Sequence, residues 1–152
     1  MAQTSQFCTF YLDKLLFGIE LRCVQEVLHY IEMTQVPLAP KAVSGLINLR
    51  GQIVTAIDLR RRLELPSVAT GALPSNVVVH TEDGPVSLLV DEIGDVIEAG
   101  AKSFEPPPET MDAAVRSVIL GVHKLEGQLL HVLDVERACE INEEANLSGL
   151  AH

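Results

Sequence analysis

The feature that most constrains this chain is an internal repeat. When the sequence is shifted against itself by 76 residues, GLINLRGQIVTAIDLRRRL (45–63) lies over GVHKLEGQLLHVLDVERAC (121–139). The identical pairs include Gly45/Gly121, Leu49/Leu125, Gly51/Gly127, Gln52/Gln128, Asp58/Asp134 and Arg61/Arg137. A second match, at an offset of 69, places FGIELRCVQEVL (17–28) over VSLLVDEIGDVI (86–97). Because both matches follow one order along the chain, duplication of a unit explains them better than chance similarity between hairpins.

Short apolar runs between Gly, Pro, Asn and Asp make up most of both repeats. Runs such as QFCTFYL, NVVVH and PVSLLV are rich in β-branched and large apolar residues, which is typical of strands. Helices are predicted only for RCVQEVLHY, for DLRRRLEL and for the tail from Asp134 to about Leu147. Asp58 and Asp134 stand where an N-cap carboxylate would accept from the first helical turn. The stretch 100–112, with three consecutive prolines, is predicted as a connection.

The duplication sets the fold. A two-stranded hairpin is marginal alone, so about five strands of each unit must curl into a small barrel that buries their apolar faces. We therefore predict a mainly β fold of two pseudo-repeated five-stranded β-barrels, with short helices and a C-terminal helix. The expected organisation is a single domain over residues 1–152 with two intertwined barrel subdomains, whose approximate repeat segments are 17–63 and 86–139.

Comparison of the two repeats separates two kinds of residue. Positions present in both are interpreted as requirements of the barrel: Gly45, Gly51, Asp58, Gly127 and Asp134. Positions that differ are candidates for a surface that only one half needs. Asn48, Arg50 and Arg60 belong to this group, since their repeat partners are Lys124, Glu126 and Glu136.

Charge and hydropathy exclude several partners. The formal net charge of -10 opposes binding to nucleic acid, which requires cations that replace condensed counterions. Arg60, Arg61 and Arg62 do not change this, because three successive residues fan around a helix. The apolar runs are far shorter than the roughly 20 residues of a membrane helix, so no membrane insertion is expected. The N-terminus does not resemble a secretory signal, and the three cysteines fit reduced thiols, so we expect a cytoplasmic protein.

No catalytic site is predicted. The sequence contains no nucleophile elbow, phosphate-binding loop or dinucleotide fingerprint, and we expect neither a cofactor nor a metal. An alternative of a different class is a small metal-dependent enzyme using His123, His131 and an acidic neighbour, although ordinary hairpin histidines are the favoured interpretation. A two-residue turn of Glu126 and Gly127 would place these histidines on opposite faces, whereas a three-residue turn would place them opposite each other.

The motif INLRGQIVTAIDLRRRL resembles the CheW-like family, the coupling proteins of bacterial chemotaxis arrays and the related C-terminal domain of the CheA histidine kinase. The resemblance spans nearly the whole chain. FYLDKLLFGIELRCVQEVL looks like the opening strands of the family, VSLLVDEIGDVIE like its second-half strand pair, and GVHKLEGQLLHVLDVERAC like its closing hairpin and helix.

This resemblance implies SH3-like barrels and a non-enzymatic adaptor. The implied partners are the cytoplasmic tip of methyl-accepting chemoreceptors and the regulatory domain of a CheA-type histidine kinase, within membrane-associated arrays. It assigns receptor contacts to Val24, Glu26 and Val27, with Val96 in the second half, and coupling to Arg50. Because Val24 and Val27 are spaced i and i+3, packing of a short helical turn in the core is an equal alternative. An adaptor of another chemosensory pathway, such as pilus motility or surface sensing, also fits.

Overall fold

The computed structural model describes residues 4–66 and 73–140. These two segments contain eleven strands: β1 (Thr4–Leu12), β2 (Leu15–Glu20), β3 (Val24–Leu28), β4 (Val43–Leu49), β5 (Gln52–Asp58), β6 (Ser75–Thr81), β7 (Gly84–Val90), β8 (Glu92–Gly100), β9 (Phe104–Glu105), β10 (Ile119–Leu125) and β11 (Gln128–Leu133). Three short helices accompany them: α1 (Leu59–Arg62), α2 (Ala113–Arg116) and α3 (Val135–Cys139). The mainly β prediction is confirmed.

The strands form two sheets of similar topology. One sheet has the order β3-β6-β7-β5-β4 and the other has the order β8-β1-β2-β11-β10-β9. Neighbouring strands are antiparallel except for β5 with β7 and β11 with β2, which are parallel. Each sheet therefore contains one parallel pair, at the equivalent place.

Each sheet also closes on itself, because a short connection leads from one edge strand to the other. After β3 the chain returns to β4, where the N–H of Thr34 and the N–H of Leu46 each donate to the other residue's carbonyl at 2.8 Å. After β8, a 3-10 turn over Ala101–Ser103 leads directly into β9 at the opposite edge. We call the closed sheets the first barrel (β3 to β7) and the second barrel (β1, β2 and β8 to β11). The predicted pair of pseudo-repeated barrels is confirmed.

The strand register reproduces both sequence offsets. Thr55 of β5 pairs with Val86 of β7, and His131 of β11 pairs with Phe17 of β2. The 76-residue offset relates Thr55 to His131, and the 69-residue offset relates Phe17 to Val86. The parallel pair β5–β7 of the first sheet is therefore equivalent, residue by residue, to the parallel pair β11–β2 of the second.

Each barrel takes strands from both repeats. When each repeat is extended to include the strand that precedes its matched segments, the first runs from β1 to β5 and the second from β6 to β11. However, β1 pairs with β8 and β2 with β11, whereas β6 pairs with β3 and β7 with β5. The two repeats have thus exchanged their first two strands, so neither repeat contains a complete barrel.

The largest hydrophobic cluster lies between the barrels. It contains Phe10, Phe17 and Ile19 of the second barrel together with Ile57 and Leu88 of the first, all almost fully buried. Two smaller clusters belong to the single barrels, one around Ile47 and Val54 and one around Phe7 and Leu130. Burial of this apolar area is the main source of stability and ties the two barrels together.

The residues that both repeats share occupy equivalent corners. The Asp58 carboxylate accepts hydrogen bonds from the N–H groups of Arg60 and Arg61 at 2.9 and 3.4 Å, at the start of α1. The Asp134 carboxylate accepts from the N–H of Arg137 at 3.2 Å, at the start of α3. A helix of one or two turns depends on such N-caps, because its first amides have no partner within the helix.

Three glycines meet different backbone requirements. Gly51 and Gly127 have φ values of +86° and +81° in the β4–β5 and β10–β11 turns, a conformation that favours glycine. Gly45 instead allows a close approach, since a Cβ atom there would lie 2.7 Å from the carbonyl oxygen of Thr34. Gly45 therefore makes room for the chain crossing that closes the first barrel.

The helix prediction for RCVQEVLHY was wrong. This segment forms a 3-10 turn over Leu21–Cys23 and then β3. A register shift between Val24 and Glu26 interrupts the strand alternation, so the apolar spacing imitates a helix. The proline-rich connection also holds the two-residue strand β9 and is followed by α2, neither of which was predicted. In the C-terminal tail α3 ends at Cys139 and Glu140 is extended, so the helix is shorter than predicted at this point; the part of the prediction beyond residue 140 lies outside the described residues.

Candidate functional site

The predicted receptor contacts of the first half lie on β3, an edge strand of its sheet. Val24 is half-buried and packs against the large cluster between the barrels. Val27 has 38% of its surface exposed, and Glu26 is half-buried. The structure thus separates the two valines, with Val24 contributing to packing and Val27 available on the surface.

Arg50 and Gly51 form the turn between β4 and β5. Leu49 pairs with Gln52, and both turn residues have positive φ, 53° for Arg50 and 86° for Gly51. Asn48 supports this turn, because its side-chain oxygen accepts from the N–H of Gly51 at 2.9 Å. In the equivalent turn of the second barrel Gly127 has positive φ, whereas Glu126 is not in that region. Arg50 therefore occupies a backbone conformation that an arginine rarely adopts.

Arg50 makes a bidentate ion pair with Glu26. Its Nη1 and Nη2 atoms donate to the two carboxylate oxygens at 2.5 and 2.7 Å. The Arg50 side chain is 69% exposed and that of Glu26 is 19% exposed. The pair joins the β4–β5 turn to β3 and fixes the guanidinium plane at the barrel surface. We call Glu26, Val27, Asn48 and Arg50 the Arg50 patch.

The contact between Arg50 and Glu26 stabilises the ionised form of both side chains. Hydrogen bonding from Arg50, opposed by a smaller desolvation effect, lowers the pKa of Glu26. The same hydrogen bond and the nearby negative charge raise the pKa of Arg50. Glu26 is therefore a carboxylate and Arg50 a cation throughout the neutral range, and the patch presents a fixed pair of opposite charges.

Arg60 lies in a different environment, with a side chain only 13% exposed. Its Nε and Nη2 atoms donate to the two oxygens of Asp91 at 2.7 and 2.5 Å, and Nη1 donates to the carbonyl oxygen of Pro66 at 2.5 Å. Asp91 also accepts from the N–H of Asp13 at 2.9 Å. Arg60 and Asp91 thus connect α1, the β7–β8 junction and the β1–β2 turn, which indicates a structural role.

Burial works to raise the pKa of Asp91. Hydrogen bonds from Arg60 and from the Asp13 N–H, together with the positive charge of Arg60, outweigh burial and hold the pKa below its ordinary value. The same contact raises the pKa of Arg60. The pair is therefore fully ionised at neutral pH.

The other two arginines of α1 point elsewhere. The Arg61 side chain lies 3.5 Å from a carboxylate oxygen of Asp58 and is 50% exposed. The Nη2 atom of Arg62 donates to the carbonyl oxygen of Arg137 at 2.8 Å. The three arginines thus contact separate parts of the protein and do not form a single basic row.

Val96 of β8 is the structural counterpart of Val27. Val27 pairs with Val77 and Val96 pairs with Cys8, positions that the 69-residue offset relates. Val96 is 53% exposed. The charged neighbours differ, since the counterparts of Glu26 and Arg50 are the exposed residues Asp95 and Glu126. The second half therefore presents the apolar contact without the ion pair of the Arg50 patch.

The two histidines of the β10–β11 hairpin lie on opposite faces. Leu125 pairs with Gln128, which leaves a two-residue turn, and His123 pairs with Leu130 while His131 pairs with Val122. His131 Nδ1 lies 2.8 Å from the carbonyl oxygen of Leu16 and donates to it. The metal site that a three-residue turn would have allowed is therefore not formed by these residues.

His123 is part of the interior of the second barrel. Its Nδ1 lies 2.7 Å from the hydroxyl oxygen of Ser103, and that hydroxyl donates to the carbonyl of Gly100 at 3.0 Å. Since the hydroxyl proton is used, His123 Nδ1 is the donor in this contact. Burial lowers the pKa of His123, so the ring is neutral at physiological pH. Across residues 4–66 and 73–140, no three His, Cys, Asp or Glu residues converge in a way that could hold a metal ion.

A surface that the sequence did not reveal is a groove along β4 and β5. It has a volume of about 560 Å³ and is lined mainly by aliphatic residues, among them Val36, Leu46, Ile53 and Val86. Ile53 is 60% exposed. The repeat comparison could not reveal the groove. Ile53 and its counterpart Leu129 are both aliphatic, so the sequence does not show that Ile53 is exposed while Leu129 is half-buried.

Of the helices that the structure describes, none has the length and apolar character required to cross a membrane.

Comparisons with known proteins agree with this architecture. The sequence model of the CheW-like domain matches residues 6–142. The chain is 28% identical over 149 residues to a protein of Treponema pallidum (strain Nichols) named Chemotaxis protein CheW, covering 95% of this chain and 88% of that one. It is 30% identical over 134 residues to the protein of the same name from Bacillus subtilis (strain 168), covering 88% and 85% of the two chains.

The crystal structure of the scaffolding protein TtCheW from Thermoanaerobacter tengcongensis is similar in fold. The TM-score is 0.82 at 27% sequence identity, and the alignment covers 92% of this chain and 95% of that one. The similarity therefore extends over both barrels.

Proposed function

The chain belongs to the CheW-like domain family, and from this premise we propose that it is a non-enzymatic chemotaxis adaptor that couples methyl-accepting chemoreceptors to a CheA-type histidine kinase. The adaptor binds the cytoplasmic tip of the receptor and the regulatory domain of the kinase. It works in the cytoplasm and is recruited to membrane-associated receptor arrays.

The observation that carries this proposal is the Arg50 patch. A bidentate ion pair with Glu26 holds the Arg50 guanidinium at the surface of the first barrel, and Glu26 is followed in sequence by the exposed Val27. The counterpart positions in the second half carry Asp95 and Glu126, so barrel folding does not require the pair. A fixed charge pair beside apolar surface suits recognition of a protein helix, in which apolar contact gives affinity and charge sets register.

The candidate residues take different roles in this proposal. Val27 and Val96 make apolar contacts with the receptor, and Glu26 and Arg50 provide the charges. Asn48 holds the turn that carries Arg50. Arg60 acts indirectly, because its ion pair with Asp91 positions α1. Val24 supports β3 from below through its packing against the large cluster.

The test is binding of the purified protein to a receptor-tip fragment and to the kinase regulatory domain. We expect the unmodified protein to bind both. Val27→Asp should weaken receptor binding, because it places a charge in an apolar contact. Arg50→Ala should reduce kinase control in reconstituted arrays. Arg61→Ala is the matched control, since Arg61 is a half-exposed arginine outside the patch, and it should change neither property.

Melting curves of all variants separate loss of binding from loss of folding. The proposal fails if the unmodified protein binds neither partner. The assignment of the Arg50 patch fails, while the adaptor role stands, if Val27→Asp and Arg50→Ala are folded and behave like Arg61→Ala.

A further inference from the structure

The β4–β5 groove is an apolar surface with no covering in the described part of the chain. Its walls are β4 and β5, the β3–β4 connection, the β6–β7 turn and the end of α3, represented by Leu46, Ile53, Val36, Val86 and Cys139. Ile53 and Val36 are 60% and 38% exposed. Large aliphatic side chains clustered in a concave surface mark a binding site more often than single exposed residues do.

The second barrel shows what the same surface looks like when it is filled. The counterparts of Leu46 and Val86 are Val122 and Phe17, which are 2% and 0% exposed. The counterpart of Ile53, Leu129, packs against the large cluster. Val122 and Phe17 are therefore almost fully buried, whereas at the groove Leu46 and Val86 are half-buried and Ile53 is exposed.

The two halves also differ in the connection that precedes each hairpin. In the second half, segment 106–118 contains α2, and Val115 and Met111 join or pack against the cluster that contains Val122. In the first half, the shorter segment 35–42 contains no helix. Segment 35–42 thus offers no helical turn with a buried aliphatic side chain equivalent to Val115.

The rim of the groove is acidic. Asp83 lines it, Glu82 precedes Asp83 in the same turn, and a carboxylate oxygen of Glu136 accepts from the N–H of Glu82 at 3.2 Å. Within residues 4–66 and 73–140, none of these three carboxylates forms a salt bridge. The repeat offsets relate Glu82 to Asp13, Asp83 to Lys14 and Glu136 to Arg60, which lie beside the second barrel, so only the open groove has a rim made of acidic residues alone.

We propose that the β4–β5 groove binds a short amphipathic helix of a partner protein. The helix places aliphatic side chains against Ile53 and Val86 and carries Lys or Arg beside the acidic rim. It supplies in trans the helical turn that α2 supplies in the second half. The groove does not include Glu26, Val27 or Arg50, so this site goes beyond the Arg50 patch and does not depend on the coupling role.

The first experiment places a photo-crosslinking amino acid at position 53 of the full-length protein in cells. We expect a crosslink to one partner segment, identified by mass spectrometry, that has aliphatic residues at helical spacing and an adjacent Lys or Arg. The same substitution at Leu120 is the matched control, because Leu120 is 50% exposed on β10 outside the groove. No crosslink beyond the Leu120 control, a crosslink to a second copy of this chain, or a crosslink to a non-helical or acidic segment would each overturn the proposal.

The second experiment measures binding of a synthetic peptide with the crosslinked sequence to the purified full-length protein. Ile53→Glu should weaken binding about tenfold or more, which is the scale of burying one isoleucine side chain. Asp83→Lys should also weaken it, whereas Leu120→Glu should not. Equal affinities for Ile53→Glu and the unmodified protein would refute the groove. Because Arg50→Ala is tested separately, failure here leaves the adaptor proposal intact.

Discussion

Replacement of Arg60 by methionine should destabilise the protein without removing a contact surface. Methionine keeps the aliphatic stem but leaves Asp91 without its bidentate partner. Breaking one side of a buried ion pair costs about 3–5 kcal/mol, and the 25% exposure of Asp91 reduces this to about 2–3 kcal/mol. For a chain of this size, that loss lowers the melting temperature by about 4–12 °C.

The assay is urea unfolding of the unmodified protein, Arg60→Met, Asp91→Ala and the double variant. The double-mutant cycle should give a coupling energy of about 1–2 kcal/mol. Arg61→Met is the control in the same helix, and its half-exposed side chain should be worth about 0.5 kcal/mol or less. If Arg60→Met and Arg61→Met have the same effect, or if the coupling is zero, the structural role of Arg60 is refuted.

The pH dependence of this effect follows from the lowered pKa of Asp91. The unfolded carboxyl titrates near its ordinary value of 3.8, and the folded carboxyl titrates below it. The stabilisation is therefore complete above pH 3.8 and disappears as the pH falls through the folded pKa. The difference between the unmodified protein and Arg60→Met should shrink accordingly when unfolding is repeated in acid.

Three further changes test other parts of the structure. Gly45→Ala should cost about 1–3 kcal/mol in thermal unfolding because its Cβ would meet the Thr34 carbonyl oxygen, whereas Gly51→Ala should cost about 1 kcal/mol through its positive φ alone. Because the pKa of His123 is lowered in the folded protein, its imidazole is protonated at a higher pH in the unfolded state than in the folded state. The free energy of unfolding should therefore decrease as the pH falls below 6.5, and His123→Ile should reduce this decrease. Burial raises the pKa of Cys139 to about 12, so a thiol reagent should modify it slowly in the native protein and rapidly in guanidinium.

The barrels were predictable because duplication leaves a signal that does not depend on contacts. Gly51 and Gly127 mark two equivalent turns, and Asp58 and Asp134 mark two equivalent helix starts. The exchange of strands between the repeats could not be read from these equivalent residues. A repeat shows which segments are similar in sequence, but it does not show which strands hydrogen-bond to each other. The β3 segment was misassigned because its register shift breaks the alternation by which a strand is recognised.

The candidate site was only partly readable from the sequence. Comparison of the repeats singled out Arg50, but its partner Glu26 lies in another strand, and no local pattern joins the two. The same holds for Arg60 and Asp91. The sequence comparison made Arg60 a candidate for a partner surface, but its ion pair with Asp91 gives it a structural role. The exposure of Ile53 depends on the absence of a helix from another segment, which only the folded arrangement reveals.

The strand exchange has a consequence for the order in which the protein is made. The first barrel has all its strands once Val90 has left the ribosome. The hairpin of β1 and β2 is synthesised earlier but must wait for β11, because Leu16 pairs with Leu130. At ordinary rates of translation, this wait is on the order of ten seconds. During that time Phe10 and Phe17, fully buried in the finished protein, have no complete barrel to enter, so strands made before the first barrel are protected from aggregation only after it is complete.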